Sequence, residues 1–446
     1  MLFDFEPLNN KKGNIKIHYV LNRYNTLDMK LNKISLRNFK CYKDIEISFH
    51  PKMNVFVGIN GTGKSSILEA IRISVGSLFL NVDKFKDKIS SPGITPDDVR
   101  LYNLEPQYPT VIETSGTLTD FANDSASTID ISWIRALEKK GGRTTMNKAK
   151  KMQKVSMDMQ DAVREGRGNI PLLAYYSTER YKKEKKDFGV IADGSRLRGY
   201  YNALDSLTNI KFFQNLYYTE TLDALQKGEA SIMLAAVNEA VKMCVGCSDV
   251  YYDIKKSEII MKATNGELIP MHLLSDGVRS TLSLVMEIAF RCVLLNPHLK
   301  SEAPKLTKGV VLIDEIDLHL HPEWQLHILQ DLQQAFPDIQ FFVTTHAPVV
   351  ISTLDNCRIY SISQGAVYDF PLQYGLNSDS ILQIMGVDRM NTDYQNELDL
   401  YMIEIENGKG YSEEALSRRA RLNQWLGESH PDLKRADIML SFFANN

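Results

Sequence analysis

An α/β fold built on a mixed β-sheet is what this 446-residue chain predicts, and three features of its sequence point there. A glycine-rich turn, Gly58-Ile-Asn-Gly-Thr-Gly63-Lys64-Ser65, stands between a short apolar run and a helix-forming stretch. A second apolar run, Val310–Ile313, ends abruptly in Asp314 and Glu315, and a third, Ile339–Thr344, ends just before His346. Buried strands that deliver polar residues at their C-terminal ends, with helices between them, read this way.

The elements follow in order. Residues 1–30 are polar, without a strong period, and form an N-terminal extension. Residues 31–120 form a first lobe. Ile34, Leu36 and Phe39, then Ile45, Ile47 and Phe49, alternate with polar residues and predict two strands. Lys52–Val57 predicts a strand, Ser65–Val75 a helix and Thr110–Leu118 a closing strand. Residues 121–249 form an inserted basic and helical region. Its stretch 135–186 holds fifteen Lys/Arg against six acids, a local balance of +9. Such a surface suits phosphate contacts or simple solvation equally well. Within it Pro171–Tyr176 predicts a short buried strand, with helices across Leu204–Leu225 and Ile232–Cys244. Residues 250–390 form a second lobe, with strands Val250–Ile254 and Glu258–Ala263, helix Val278–Leu294, strand Gly309–Ile313, helix Pro322–Ala335 and strand Ile339–Thr344. The chain after His346 reads as mainly helical, and residues 391–446 as a helical segment for a partner or for oligomerisation.

Composition narrows the class. The chain is 43% hydrophobic and 24% charged with a net charge of -3, enough for a sizeable core and against a uniformly basic coat. Five scattered cysteines suit a reducing cytosol. Neither a signal peptide nor a membrane span is visible, so a soluble, cytoplasmic protein is expected. Cys244-Val-Gly-Cys247 lacks a second pair and His319-Leu-His321 a third ligand, so both read as structural.

The turn at Gly58 fits G-x-x-x-x-G-K-[ST] in its meaningful setting, after a strand and opening a helix. Backbone N–H groups of Gly58, Asn60, Gly61, Thr62, Gly63 and Ser66 are expected to cradle phosphates. Lys64 is expected to reach the β- and γ-phosphates of ATP and Ser65 to give a hydroxyl to Mg²⁺. Asp314 is then expected in the Mg²⁺ shell and Glu315 as the group that orients or deprotonates the attacking water.

Leu274-Ser275-Asp276-Gly277-Val278-Arg279-Ser280 precedes an amphipathic helix and resembles the signature of ABC ATPases, in the branch containing SMC proteins and RecF. That resemblance implies an ABC-type P-loop head with an inserted helical lobe and a helical C-terminal segment. It also implies a homodimer in which Ser275 and Gly277 bind the γ-phosphate of ATP held by the other subunit. In the same family His346 would be the switch histidine, Asp317 the aspartate that crosses the dimer interface, and Gln107 the glutamine that meets Mg²⁺ and nucleotide. Leu36-Arg37-Asn38-Phe39-Lys40 resembles the N-terminal strand motif of these heads, which places Arg37, Asn38 and Lys40 near the nucleotide. Asp276 and Val278 depart from the transporter pattern, which has glycine and glutamine there.

Lys64 and Ser275 lie 211 residues apart, too far for a transporter subunit and too near for a long-armed SMC protein. Leu173–Arg180, Ser195–Tyr200 and Tyr374–Gly386 resemble the ATPase subunits of anti-phage systems such as Septu and related retron-associated operons. That resemblance implies an ATPase without its own nuclease site, regulating a separate HNH nuclease that acts on DNA, in a dimer or larger homo-oligomer. A RecF-like DNA-repair ATPase and a low-turnover ATP-bound scaffold are the alternatives.

Overall fold

The computed structural model describes residues 29–82, 89–122, 127–181, 195–206, 210–351, 356–363, 365–370, 392–427 and 430–444. The extension up to residue 28, Lys182–Lys186 and the stretch Tyr374–Gly386 lie outside the described residues. The chain divides into two compact units, Met1–Ile381 and Leu382–Asn446.

The first unit is organised by a six-stranded sheet. Its strands are β3 (Met53–Val57), β8 (Leu172–Tyr176), β12 (Gly309–Ile313), β13 (Ile339–Thr345), β14 (Arg358–Ser363) and β15 (Ala366–Phe370), ordered β15-β14-β3-β13-β12-β8. All neighbours are parallel except the β14–β15 edge hairpin. Every residue of β3, β12 and β13 is buried, which is why these strands read as continuous apolar runs. The register pairs Thr344 with Phe56 and Val343 with Ile313, so the C-terminal ends of β3, β12 and β13 open at one edge. Helix α1 (Lys64–Val75) starts there, straight after β3.

A four-stranded antiparallel sheet, ordered β2-β1-β6-β7, comprises β1 (Met29–Phe39), β2 (Tyr42–Ser48), β6 (Thr110–Thr119) and β7 (Thr128–Leu137). The β6–β7 hairpin crosses residue 120, so the expected lobe boundary there falls inside a paired sheet. Arg135, counted among the basic residues of the insert, is core: it is 3% exposed and donates to Ser77 Oγ, Ser91 Oγ and the Pro92 carbonyl. Burial pulls its guanidinium down to about 10. Helix α2 (Lys150–Arg164) carries exposed Lys150, Lys151 and Lys154 opposite a buried Met152–Val155–Met159 face.

Helices α3 (Ile210–Lys227) and α4 (Ile232–Val245) lead into a three-stranded sheet, β9 (Asp249–Asp253), β10 (Glu258–Lys262) and β11 (Leu268–Pro270). Then comes α5 (Asp276–Leu295), buried on all sides from Thr281 onward. Its Arg291 is satisfied by Glu287 Oε1 at 2.8 Å and by the carbonyls of Gly199 and Tyr201. Such a pair is tolerated inside because each guanidinium nitrogen has an acceptor. Between β12 and β13 the expected single helix Pro322–Ala335 is two pieces, Pro322–Gln325 and α6 (Ile328–Ala335). After His346 the chain adds strands β14 and β15 where helix was expected; Ile359, Tyr360 and Ile362 are buried as β14 extends the sheet. No helix among the described residues is long and apolar enough to cross a membrane.

The second unit is helical: α7 (Thr392–Glu406), α8 (Glu413–Leu426) and α9 (Pro431–Ala444). Leu398, Tyr401, Ile405, Ala415, Leu422, Leu433 and Ala436 form its own core. Arg418 bridges Glu397 at 2.9 Å and Glu404 at 3.1 Å, tying α8 to α7.

Candidate functional site

The loop after β3 bends because Gly58 and Gly63 take φ of +148° and +111°. A side chain is excluded at both: a Cβ on Gly58 would meet the Ile362 carbonyl at 2.5 Å, and one on Gly63 would meet Cys41 Sγ at the same distance. Tyr42 donates its hydroxyl to the Gly63 carbonyl at 3.0 Å, and Thr62 Oγ1 donates to the Ile59 carbonyl at 2.9 Å. The loop is thus braced from behind while Asn60 and Gly61 remain exposed.

Lys64 is only 5% exposed. Its ammonium donates to the carbonyls of Gly58 at 2.9 Å and Ile59 at 3.0 Å, so it lies inside the curve of the loop. Burial lowers its pKa, and the carboxylates of Glu315, Asp314 and Asp317 act in the opposite direction. Next to it Ser65 donates its hydroxyl to Asp314 Oδ1 at 3.1 Å.

Asp314, 4% exposed, ends β12, and Thr344 of β13 also donates to its Oδ1 at 2.6 Å. The same Thr344 oxygen accepts the Glu315 N–H at 2.7 Å. Glu315 has φ +49°, an uncommon conformation for a glutamate, which turns it out of the strand line. Its Oε1 lies 3.8 Å from His346 Nε2. The His346 N–H donates to Asp317 Oδ1 at 3.3 Å. Lys64, Ser65, Asp314, Glu315, Asp317 and His346 therefore share one site at the ends of three adjacent strands.

These residues fit a magnesium nucleotide. Gly58, Gly61 and Gly63 all have positive φ, and no atom lies within 4 Å of a Cβ built on Gly61, so the outer face of the loop can admit a phosphate. Ser65 Oγ and Asp314 Oδ1 are adjacent hard oxygens of the kind Mg²⁺ accepts, with phosphate oxygens completing its shell. When bound, the ion would neutralise phosphate charge. Among the described residues no group of three or more His, Cys, Asp or Glu is placed to hold a metal.

Ser275 and Gly277 are at the start of α5. Ser275 caps the helix, accepting the Val278 N–H at 3.5 Å, and is exposed. Gly277 is buried against the segment after Asp317, where a Cβ would meet the His319 carbonyl at 2.4 Å.

The N-terminal candidates lie apart from this cluster in their contacts. Arg37 is exposed in β1. Asn38 donates to the Pro109 carbonyl at 3.1 Å, and Lys40 pairs with the buried Asp98 at 3.3 Å. Gln107 turns its side-chain amide back to the Glu105 carbonyl at 2.9 Å, within its own hairpin. Thr344, Tyr42 and Cys41 are supporting residues that sequence reasoning gave no role. For Thr344 the available signal was a hydroxyl at the end of an otherwise apolar strand.

Loop, paired acids and histidine on a mainly parallel sheet form a P-loop head of the ABC type, and the chain resembles the RecF/SMC-like ABC ATPases. Two family models described as AAA domains match residues 33–242 and 161–352, the second description adding the AbiEii toxin of a Type IV TA system. The chain is 27% identical to the "Retron Vc95 probable ATPase" of Vibrio cholerae, over 81% of this chain and 80% of that protein. It is 22% identical to the Septu protein PtuA of Bacillus mycoides over 87% of this chain, and spans about half (49%) of that relative. An SMC head domain from Thermotoga maritima superposes with a TM-score of 0.43 at 17% identity, covering 77% of this chain and 100% of that one.

Proposed function

We propose that this chain is the ATP-binding and ATP-hydrolysing subunit of an anti-phage defence complex. In this reading ATP closes two copies head to tail, and the closed state regulates a partner HNH nuclease acting on DNA. The observation that carries it is the meeting of Lys64, Ser65, Asp314, Glu315 and His346 at one sheet edge. The similarity to retron and Septu ATPases supplies the defence setting.

Each residue has a role set by its atoms. The N–H groups of residues 58–66 and the Lys64 ammonium bind the phosphates. Ser65 and Asp314 hold Mg²⁺. The Glu315 carboxylate accepts a proton from the attacking water. His346 orients the γ-phosphate. Ser275 and Gly277 meet the γ-phosphate held by the partner copy, so closure is favoured only while that phosphate is present. Hydrolysis then releases the pair.

The test is to purify the chain with a co-expressed candidate HNH nuclease and weigh the complex by light scattering with ATP, ADP or no nucleotide. ATP alone should add mass and change DNA cleavage. Equal mass and cleavage in all three conditions reject the proposal.

A further inference from the structure

A cavity of about 650 Å³ opens beside α5, and none of the P-loop residues line it. Asp276, Arg279, Ser280, Ser283 and Glu287 of α5 form one wall, and α3, β9, β10, Met271–His272, Tyr176 and His319 complete it. Its size suits a nucleoside.

Each carboxylate around it has a hydrogen-bonded basic side chain. Asp276 pairs with Arg279 at 2.5 Å, Glu258 with His272 at 2.6 Å, and Glu287 with Arg291 at 2.8 Å. A lining whose carboxylates all have basic partners favours an uncharged ligand over an ion. Two polar groups at the floor retain capacity. Glu287 Oε1 accepts from Nε and Nη2 of Arg291, which leaves Oε2 to accept another donor. The Tyr176 hydroxyl, on a residue 6% exposed, has no partner within hydrogen-bond geometry among the described residues. A buried hydroxyl without a partner costs free energy that a bound polar group would return. The Tyr252 ring and buried Ile259, Met271 and Leu284 supply aromatic and apolar surface beside the polar Gln214, Asn215 and Ser283.

An aromatic ring, apolar neighbours and hydrogen-bonding groups with spare capacity are what an unstacked base needs. We propose that this cavity is a nucleobase-binding pocket separate from the P-loop site. Glu287 Oε2 selects a base that presents N–H donors, and guanine, with two neighbouring N–H groups, is the best match.

The test titrates the full chain, saturated with Mg²⁺ and ATPγS so that the P-loop is filled, with guanosine, adenosine, cytidine and uridine by calorimetry. A short single-stranded DNA rich in guanine, and its abasic counterpart, form a second arm. Guanosine should bind and uridine bind at least tenfold more weakly. Tyr176→Phe should weaken guanosine roughly three- to tenfold, the loss of one buried hydrogen bond, and Ser280→Trp should abolish binding; neither should melt below the parent. Binding of the oligonucleotide but not the nucleoside identifies nucleic acid as the source of the base; the reverse identifies a free nucleoside. No binding in either arm overturns the proposal, as does uridine binding equal to guanosine. Should Ser280→Trp abolish ATP-driven dimerisation, the cavity belongs to the ATP interface and the proposal fails.

Discussion

The Lys64 ammonium lies 3.4 Å from Nδ1 of His346. Lysine has only donors, so this contact forms when Nδ1 accepts, the tautomer that carries its proton on Nε2, facing Glu315. A neutral histidine thus bridges the phosphate-binding lysine and the proposed base. Burial first, then the Lys64 charge, lower the His346 pKa below its ordinary value of 6.5. Unfolded chain binds a proton that the folded site refuses, so this contribution is complete above about pH 6.5 and is lost as pH falls toward the folded value. His50 and His298 are lowered too. Thermal melts of the nucleotide-free protein should therefore fall between pH 7.5 and 5, and His346→Gln should make that slope shallower. An unchanged slope removes His346 from the account.

Glu315→Gln keeps the size and φ-strained placement of the side chain but cannot take a proton. Steady-state ATP hydrolysis should drop by about 10²–10⁴, the usual worth of a positioned general base, while ATP affinity stays near that of the parent. Gel filtration with ATP should show the dimer accumulating. Parent-like turnover would assign the proton transfer elsewhere.

Thr344→Val tests the joint that holds both acids. The hydroxyl donates to Asp314 and accepts from Glu315 N–H, so its loss removes one hydrogen bond from each acid. A cost of about 1–3 kcal/mol in stability follows, together with weaker magnesium-dependent ATP binding. Denaturant unfolding and nucleotide titration measure the two separately; a variant like the parent in both would make the joint dispensable.

How much of this was legible follows from where each signal lies. The P-loop, Asp314–Glu315 and His346 are local patterns at strand ends, and each stands where its strand predicted. β8 was legible as Pro171–Tyr176 because a strand buried on both faces is continuously apolar. β7 was not: Thr128–Leu137 includes Asp130 and Arg135 and borders the lysine-rich stretch, and only its pairing with β6 makes it a strand. The β14–β15 hairpin was missed for a similar reason, since its burial comes from β3, about 300 residues earlier in the chain. Gln107 shows the limit of spacing arguments, because a side chain beside the right strand can satisfy itself locally.

Ser275 and Gly277 separate two roles that sequence alone runs together. Ser275 caps α5 and is exposed, so Ser275→Ala should cost about 1 kcal/mol of stability and, if the serine meets the partner's γ-phosphate, weaken ATP-driven dimerisation further than that loss explains. Ser275→Asp preserves the cap but adds charge; it should melt like the parent and dimerise poorly with ATP. Gly277→Ala acts differently. Its Cβ would meet the His319 carbonyl at 2.4 Å, a backbone atom that cannot swing aside. Overpacking of that kind costs about 1–3 kcal/mol, and relief requires either α5 or the segment after Asp317 to shift. Gly277→Ala should therefore lower the melting temperature without nucleotide, whereas Ser275→Asp should be silent until ATP is added. If Ser275→Asp dimerises normally with ATP, the start of α5 is structural and the head-to-tail arrangement loses its signature contact.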